Sequence, residues 1–137
     1  MLSLLLGFSS MAQKADDIVG VWWNQEKDGR VEVYKKGDVY FGKIEFIQKN
    51  TNADGSSPKK DAKNPDAKLR DRVLMGTVIL KNLKWDGKEW TGGEIYDSKS
   101  GNTYSCFARL QKDGSLYFKG YMGITLLGRS TVWTRYK

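Results

Sequence analysis

The densest run of chemically capable side chains is Asp61-x-x-Asn64-Pro65-Asp66-x-x-Leu69-Arg70-x-Arg72. Carboxylate and amide oxygens this close together are calcium-type ligands. The central glycine and terminal glutamate of a calcium loop are missing, however, which makes a cation site the minor alternative. Asn before Pro is driven into extended backbone and Asp66 can cap a following helical turn, so the same residues also write an ordinary turn. Arg70 and Arg72 carry planar forks that would receive a carboxylate or phosphate bidentately. Asn64, Asp66, Arg70 and Arg72 are therefore the candidate contacts for an anionic ligand group. Tyr96, Tyr104 and Tyr121 are the candidate ring contacts for a ligand ring or acyl chain. The structural alternative for Tyr96 and Tyr104 is cross-strand aromatic pairing, which stabilises a sheet by about 0.2–1 kcal/mol per pair.

Absences narrow the chemistry further. The chain contains no histidine, which removes the commonest general base and the commonest neutral metal ligand. Ser-His-Asp and Cys-His nucleophilic sites are thereby excluded within the chain. The acidic residues number 16, but no spacing singles out a pair for glycoside hydrolysis. There is no phosphate-binding loop, dinucleotide fingerprint or nucleophile elbow, so no cofactor is expected and no metal site is assigned. Cys106 is the single cysteine. It reads as a small core thiol sharing a strand face with Tyr104 and Ala108. Enzyme chemistry is left to carboxylate, Tyr or Lys groups and ranks behind binding and interaction roles.

The formal charge is +7. Lys and Arg are scattered among Asp and Glu along the whole chain rather than gathered in a run, which reads as a solvated surface. No nucleic-acid motif is present and no nucleic-acid partner is expected. Leu2 to Phe8 is an apolar run, and Ser10-Met11-Ala12 follows it with small residues placed as at a cleavage site. The run is too short to span a bilayer. Residues 1–12 are therefore expected to be a signal-peptide remnant, the alternative being a hydrophobic N-terminal strand or helix packed on the barrel. The mature chain, 13–137, would then work in the periplasm or outside the cell. Contact with an envelope polymer or membrane surface is the alternative use of the basic, aromatic exterior.

The elements that must position these groups are strands. Aromatic and β-branched runs alternate with turns at Asp28-Gly29, Lys36-Gly37-Asp38, Asp86-Gly87, Ser100-Gly101 and Asp113-Gly114. This alternation is the mark of an antiparallel meander. A first strand is expected over Ile18–Asn24, and Tyr40, Ile44 and Phe46 are expected on one face of a third. Gly42 marks a bulge or bend in that strand. The polar stretch 50–72 holds both prolines and reads as one long loop; Val73–Leu83 returns to apolar residues, with a strand expected over Thr77–Leu80 and a short helical turn at Lys68–Met75 as an option. Gly120-Tyr121-Met122-Gly123 reads as a close approach near a barrel floor or as a lip. The count comes to roughly eight strands, the size at which a barrel is either filled by side chains or holds one small ligand.

Gly20-x-Trp22 opens the first strand and Arg135 sits on the last. In a closed barrel those strands are neighbours, and the guanidinium could lie over the indole and seal one end. This resembles calycin-type barrels. A larger ordered set is G-V-W (20–22), G-K-I (42–44), D-A-K-N-P-D (61–66) and L-R-D-R-V-L-M-G (69–76). It continues with W-T-G-G-E-I-Y-D (90–97), G-N-T-Y (101–104), K-G-Y-M-G (119–123), L-L-G-R (126–129) and W-T-R (133–135). The set resembles a family of exported bacterial proteins known as domain of unknown function 2147. That family often has proline where this chain has Ala67, Val73 and Ser98, which weakens the expectation of a rigid loop. The resemblance implies a small β-barrel and export, and it supplies no activity.

The reading is an all-β protein, a single antiparallel barrel of lipocalin-like character. It would bind a small apolar or amphipathic ligand, with an anionic group as an option, and the long loop would lie at the mouth. The alternative is an interaction or structural protein of the envelope with a filled barrel.

Overall fold

Glycine at the tight turns lets the chain reverse: Gly37, Gly87, Gly101 and Gly114 all hold positive φ, between 66° and 103°, where a Cβ is strained. The computed structural model describes residues 13–121 and 129–137. Its strands are β1 Gly20–Trp23, β2 Gly29–Lys36, β3 Val39–Ile47, β4 Val78–Trp85, β5 Trp90–Asp97, β6 Asn102–Leu110, β7 Leu116–Tyr121 and β8 Arg129–Arg135. Each pairs antiparallel with the next, and β8 returns to β1 to close the barrel. The fold is thus the expected all-β, eight-stranded antiparallel barrel. Closure leaves no open sheet edge among the described strands. The signal-peptide segment 1–12, and Met122 to Gly128 with its Leu126-Leu127-Gly128, lie outside the described residues.

Alternation sets the core. Val31 and Val33 of β2, Tyr104, Cys106 and Ala108 of β6, and Leu116 and Phe118 of β7 are all buried. They face one interior, as the period of two requires.

Four expectations change. Ile18 is not in a strand; it ends a short 3-10 turn, Ala15–Ile18, and β1 starts at Gly20. The long loop runs on to Thr77. Of its apolar residues Leu74 is buried while Val73 and Met75 are exposed, and Lys60 and Val73 form an isolated bridge inside the loop. Phe46 leaves the face of Ile44: Val31 faces Ile44 while Arg30 faces Phe46, so Glu45 is the extra residue of a bulge. Phe46 instead packs with Arg30, whose guanidinium lies 4.2 Å from its ring and 4.9 Å from that of Trp23. Finally, of the two readings of Gly120 the lip holds and the floor does not. Gly120 pairs with Arg129 and Cys106, at the end of the barrel where the long loop lies.

Candidate ligand-binding site

One end of the barrel is stopped by the chain's own N-terminal turn. Strand side chains converge on the carbonyls and carboxylate of Ala15–Val19. The Trp22 indole donates to Ile18 O at 2.9 Å, and the Trp90 indole donates to Ala15 O at 2.9 Å. The Tyr40 hydroxyl donates to Asp16 at 2.5 Å. Arg135 donates to Val19 O and Asp17 O, both at 2.8 Å, with its guanidinium 4.0 Å above the Trp22 ring. Trp22 and Trp90 are fully buried. Burial holds the Tyr40 phenol well above its ordinary range, helped by the Asp16 carboxylate, and burial lowers Arg135. Each of these four donors thus has an acceptor, and this end is a solid floor. Arg135 also explains Gly20, where any Cβ would meet the guanidinium.

The other end is hollow. A cavity of about 1000 Å³ opens between the β1–β2, β3–β4 and β5–β6 loops. Val31, Ile44, Ile79, Ile95, Phe118 and Trp133 form its apolar wall. Tyr104 is 6% exposed and faces inward at the upper wall. Glycine at position 120 gives it room, since a Cβ there would stand 3.2 Å from the Tyr104 side chain. The Arg129 guanidinium beside the Tyr104 phenol lowers its pKa against the opposing effect of burial. Cys106 also lines the wall, and burial pushes its thiol up to about 12. It is a protonated, unreactive side chain at neutral pH.

Charge rings the mouth. Lys99 reaches Asp28 at 2.9 Å and Arg129 reaches Asp97 at 3.6 Å. Lys49 and Lys59 also line the opening, and neither takes part in an ion pair among the described residues. An apolar wall under a rim with spare cations suits a molecule with an apolar body and a polar or acidic end.

The long loop covers part of this opening, and a single carboxylate anchors it. Asp61 is completely buried. One of its oxygens accepts from the Tyr96 hydroxyl at 2.6 Å. The other accepts from the Asn64 amide at 2.8 Å and from Arg72 at 2.9 Å. Burial, then the hydrogen bond to Asp61, pushes the Tyr96 phenol up to about 12. Nearby, the Lys63 carbonyl packs directly over Gly101 in the β5–β6 turn, leaving no room for a Cβ there.

These contacts redistribute the candidate residues. Asn64 and Arg72 hold Asp61, and they border a separate outer groove of about 270 Å³ rather than the cavity. Asp66 caps the Ala67–Leu69 turn through Lys68 N, and Arg70 donates to Asn64 O at 2.7 Å. None of these four residues lines the cavity. With its oxygens engaged by Tyr96, Asn64 and Arg72, Asp61 is an ion-pair partner and no calcium ligand. Tyr96 and Tyr104 are not a pair: Tyr96 faces Thr103 and Tyr104 faces Ile95, so the two rings lie on opposite faces. Both border the cavity. Tyr121 faces Ser105 and packs against Phe107, with ring centroids 6.3 Å apart, away from the interior. Trp22 and Arg135 stand at the floor.

Sequence reasoning passed over Asp61 as the hub, the stopper at Ala15–Ile18, and Lys49 and Lys59 at the rim. Only Asp61 left a trace, as the first residue of the polar run.

The likeness to known proteins falls on the same frame. No curated protein matches the chain. A solved structure, protein HP1028 from the human pathogen Helicobacter pylori, described as belonging to the lipocalin family, is 28% identical. The match covers 88% of this chain and 83% of that one, with a TM-score of 0.72. A family described as "Uncharacterized protein conserved in bacteria" matches residues 20–135. That span runs from the first residue of β1 to the last of β8, and the chain belongs to this bacterial family, domain of unknown function 2147.

Proposed function

We propose that the protein is a small-molecule carrier that holds one ligand, apolar for most of its length, in the cavity. The observation that carries this reading is a cavity of about 1000 Å³ with an apolar wall above a floor that is closed by side chains. The volume lies at the upper end of the range for small-molecule sites, about 300–1,000 Å³. A polar or acidic end of the ligand would sit beside Lys49 and Lys59. We read residues 1–12 as the export signal of a periplasmic or secreted carrier; N-terminal sequencing of the protein recovered from cells that make it checks this, and an uncleaved Met1 would overturn it.

Native mass spectrometry of the protein isolated without detergent from its own source tests the carrier reading. A reproducible added mass is expected, and its fragmentation names the ligand class. A bare polypeptide mass, with no uptake of an added long-chain carboxylate, would overturn the reading in favour of an interaction protein.

A further inference from the structure

Large hydrophobic side chains that are exposed are few among the described residues: Val19, Leu69, Val73, Met75 and Tyr136. Three of the five fall within one seven-residue stretch of the long loop. Their placement follows from the loop's attachment. Leu74 is 2% exposed and turns into the cavity mouth, so its neighbours Val73 and Met75 are turned out, at 42% and 38% exposed. The Asp61 node and the contact of Lys63 with Gly101 hold the loop down, which makes this ridge a fixed surface. Cations surround it. Residues 59–72 carry six Lys and Arg against three Asp, and one of those Asp is buried beneath Arg72. Lys63, Lys68 and Arg70 are exposed.

We propose that the Leu69–Met75 ridge docks on an anionic lipid surface, setting the cavity mouth against the membrane. Two observations favour lipid over another acidic partner. A purely charged polymer would need the cations alone, whereas a bilayer interface takes up both the cations and the exposed Leu, Val and Met. The ridge is also continuous with the mouth through Leu74, so an apolar molecule passing between bilayer and cavity would cross little water. The inference rests partly on the carrier reading, because ligand exchange is what such an orientation would serve.

The test is flotation with vesicles of phosphatidylcholine, with and without phosphatidylglycerol, at low and moderate salt. The full chain is expected to float with the anionic vesicles only, less at higher salt. Two variants separate the contributions. Val73→Ser with Met75→Ser keeps the charge; Lys63→Gln with Lys68→Gln keeps the apolar ridge. All four side chains are exposed, so both variants are expected to keep the parent unfolding midpoint. The lysine variant should lose about fivefold in vesicle affinity per cation removed, and the serine variant should also bind more weakly. Failure of the parent to float overturns the proposal. Unchanged binding by the serine variant overturns it too, and would point to an acidic polymer instead. Native mass spectra of the same samples keep the two readings apart: a ligand-filled protein that ignores vesicles sinks the docking surface alone, and a vesicle-bound protein whose cavity never fills sinks the carrier alone.

Discussion

The floor and the mouth of this barrel are made by the same alternation of inward side chains, to opposite effect. At the floor the inward residues are large and polar-tipped, Trp22, Tyr40 and Trp90, and each finds an acceptor in the N-terminal turn. At the mouth the large rings Tyr104, Phe118 and Trp133 stand beside the small Val31, Ile44, Ile95, Cys106 and Gly120, and together they leave about 1000 Å³ of lumen unfilled. One strand shows the taper by itself: β5 points Trp90 into the floor and Ile95 into the cavity. The difference teaches that hollowness here is a matter of side-chain volume at one level of the barrel. Strand number and closure are common to both ends.

Breaking the floor should have the largest effect. Trp22→Ala removes a fully buried ring and leaves Arg135 without its stacking partner. It is expected to lower stability by about 3–5 kcal/mol, read by urea unfolding; an unchanged midpoint would mean that the floor is not the core of the fold. The loop anchor comes next. Asp61→Ala leaves Asn64, Arg72 and Tyr96 without their shared acceptor. The expected cost is about 1–3 kcal/mol, the lower part of that range being set by the half-exposed Arg72. Amide exchange should quicken across residues 59–74 and leave β1 and β8 untouched, while uniform quickening would contradict a local anchor.

Alkaline pH tests both ends. The Tyr96 phenol has a folded pKa of about 12 against 10.0 for the free group, so the folded state holds the proton more tightly. Its contribution is complete below pH 10 and is lost as pH rises through 12. Tyr40 at the floor is raised in the same direction by burial and Asp16, so both ends lose support as pH rises above 10. Tyr96→Phe is expected to flatten part of the decline in stability above pH 10, and an unaltered profile would remove Tyr96 from it. The smallest effect on stability should come from filling the cavity. Ile95→Phe places bulk in open space and should shift stability by less than about 1 kcal/mol, yet abolish the ligand mass in native spectra. Retention of ligand would place the binding site elsewhere.

The strands and the site were not equally legible in the sequence. Period-two runs and Asp-Gly or Ser-Gly turns are local signals, and they located the meander and its reversals. The Gly20, Trp22 and Arg135 set anticipated how the first and last strands meet. The readings that failed depend on partners far along the chain. Trp90 and Ala15 are 75 residues apart and Tyr96 and Asp61 are 35 apart, and such bonds leave no mark on local periodicity. The bulge at Glu45 has no glycine to announce it, so Phe46 was placed one face out of register. Asn64 and Arg72 read as ligand contacts because an arginine and an amide near a carboxylate look the same in sequence whether they face a ligand or a buried aspartate.

The seam between β1 and β8 also fixes an order in time. Trp22 is among the first strand residues to leave the ribosome and Arg135 among the last, yet they are direct partners across the closing pair. Until β8 has emerged, the growing sheet has two unpaired edges and the stopper has no Arg135 to hold it. Long-range closure of this kind makes folding slow compared with locally wired folds. A nascent chain stalled with β8 still in the exit tunnel should therefore be open to protease throughout, and should gain resistance in a single step on release.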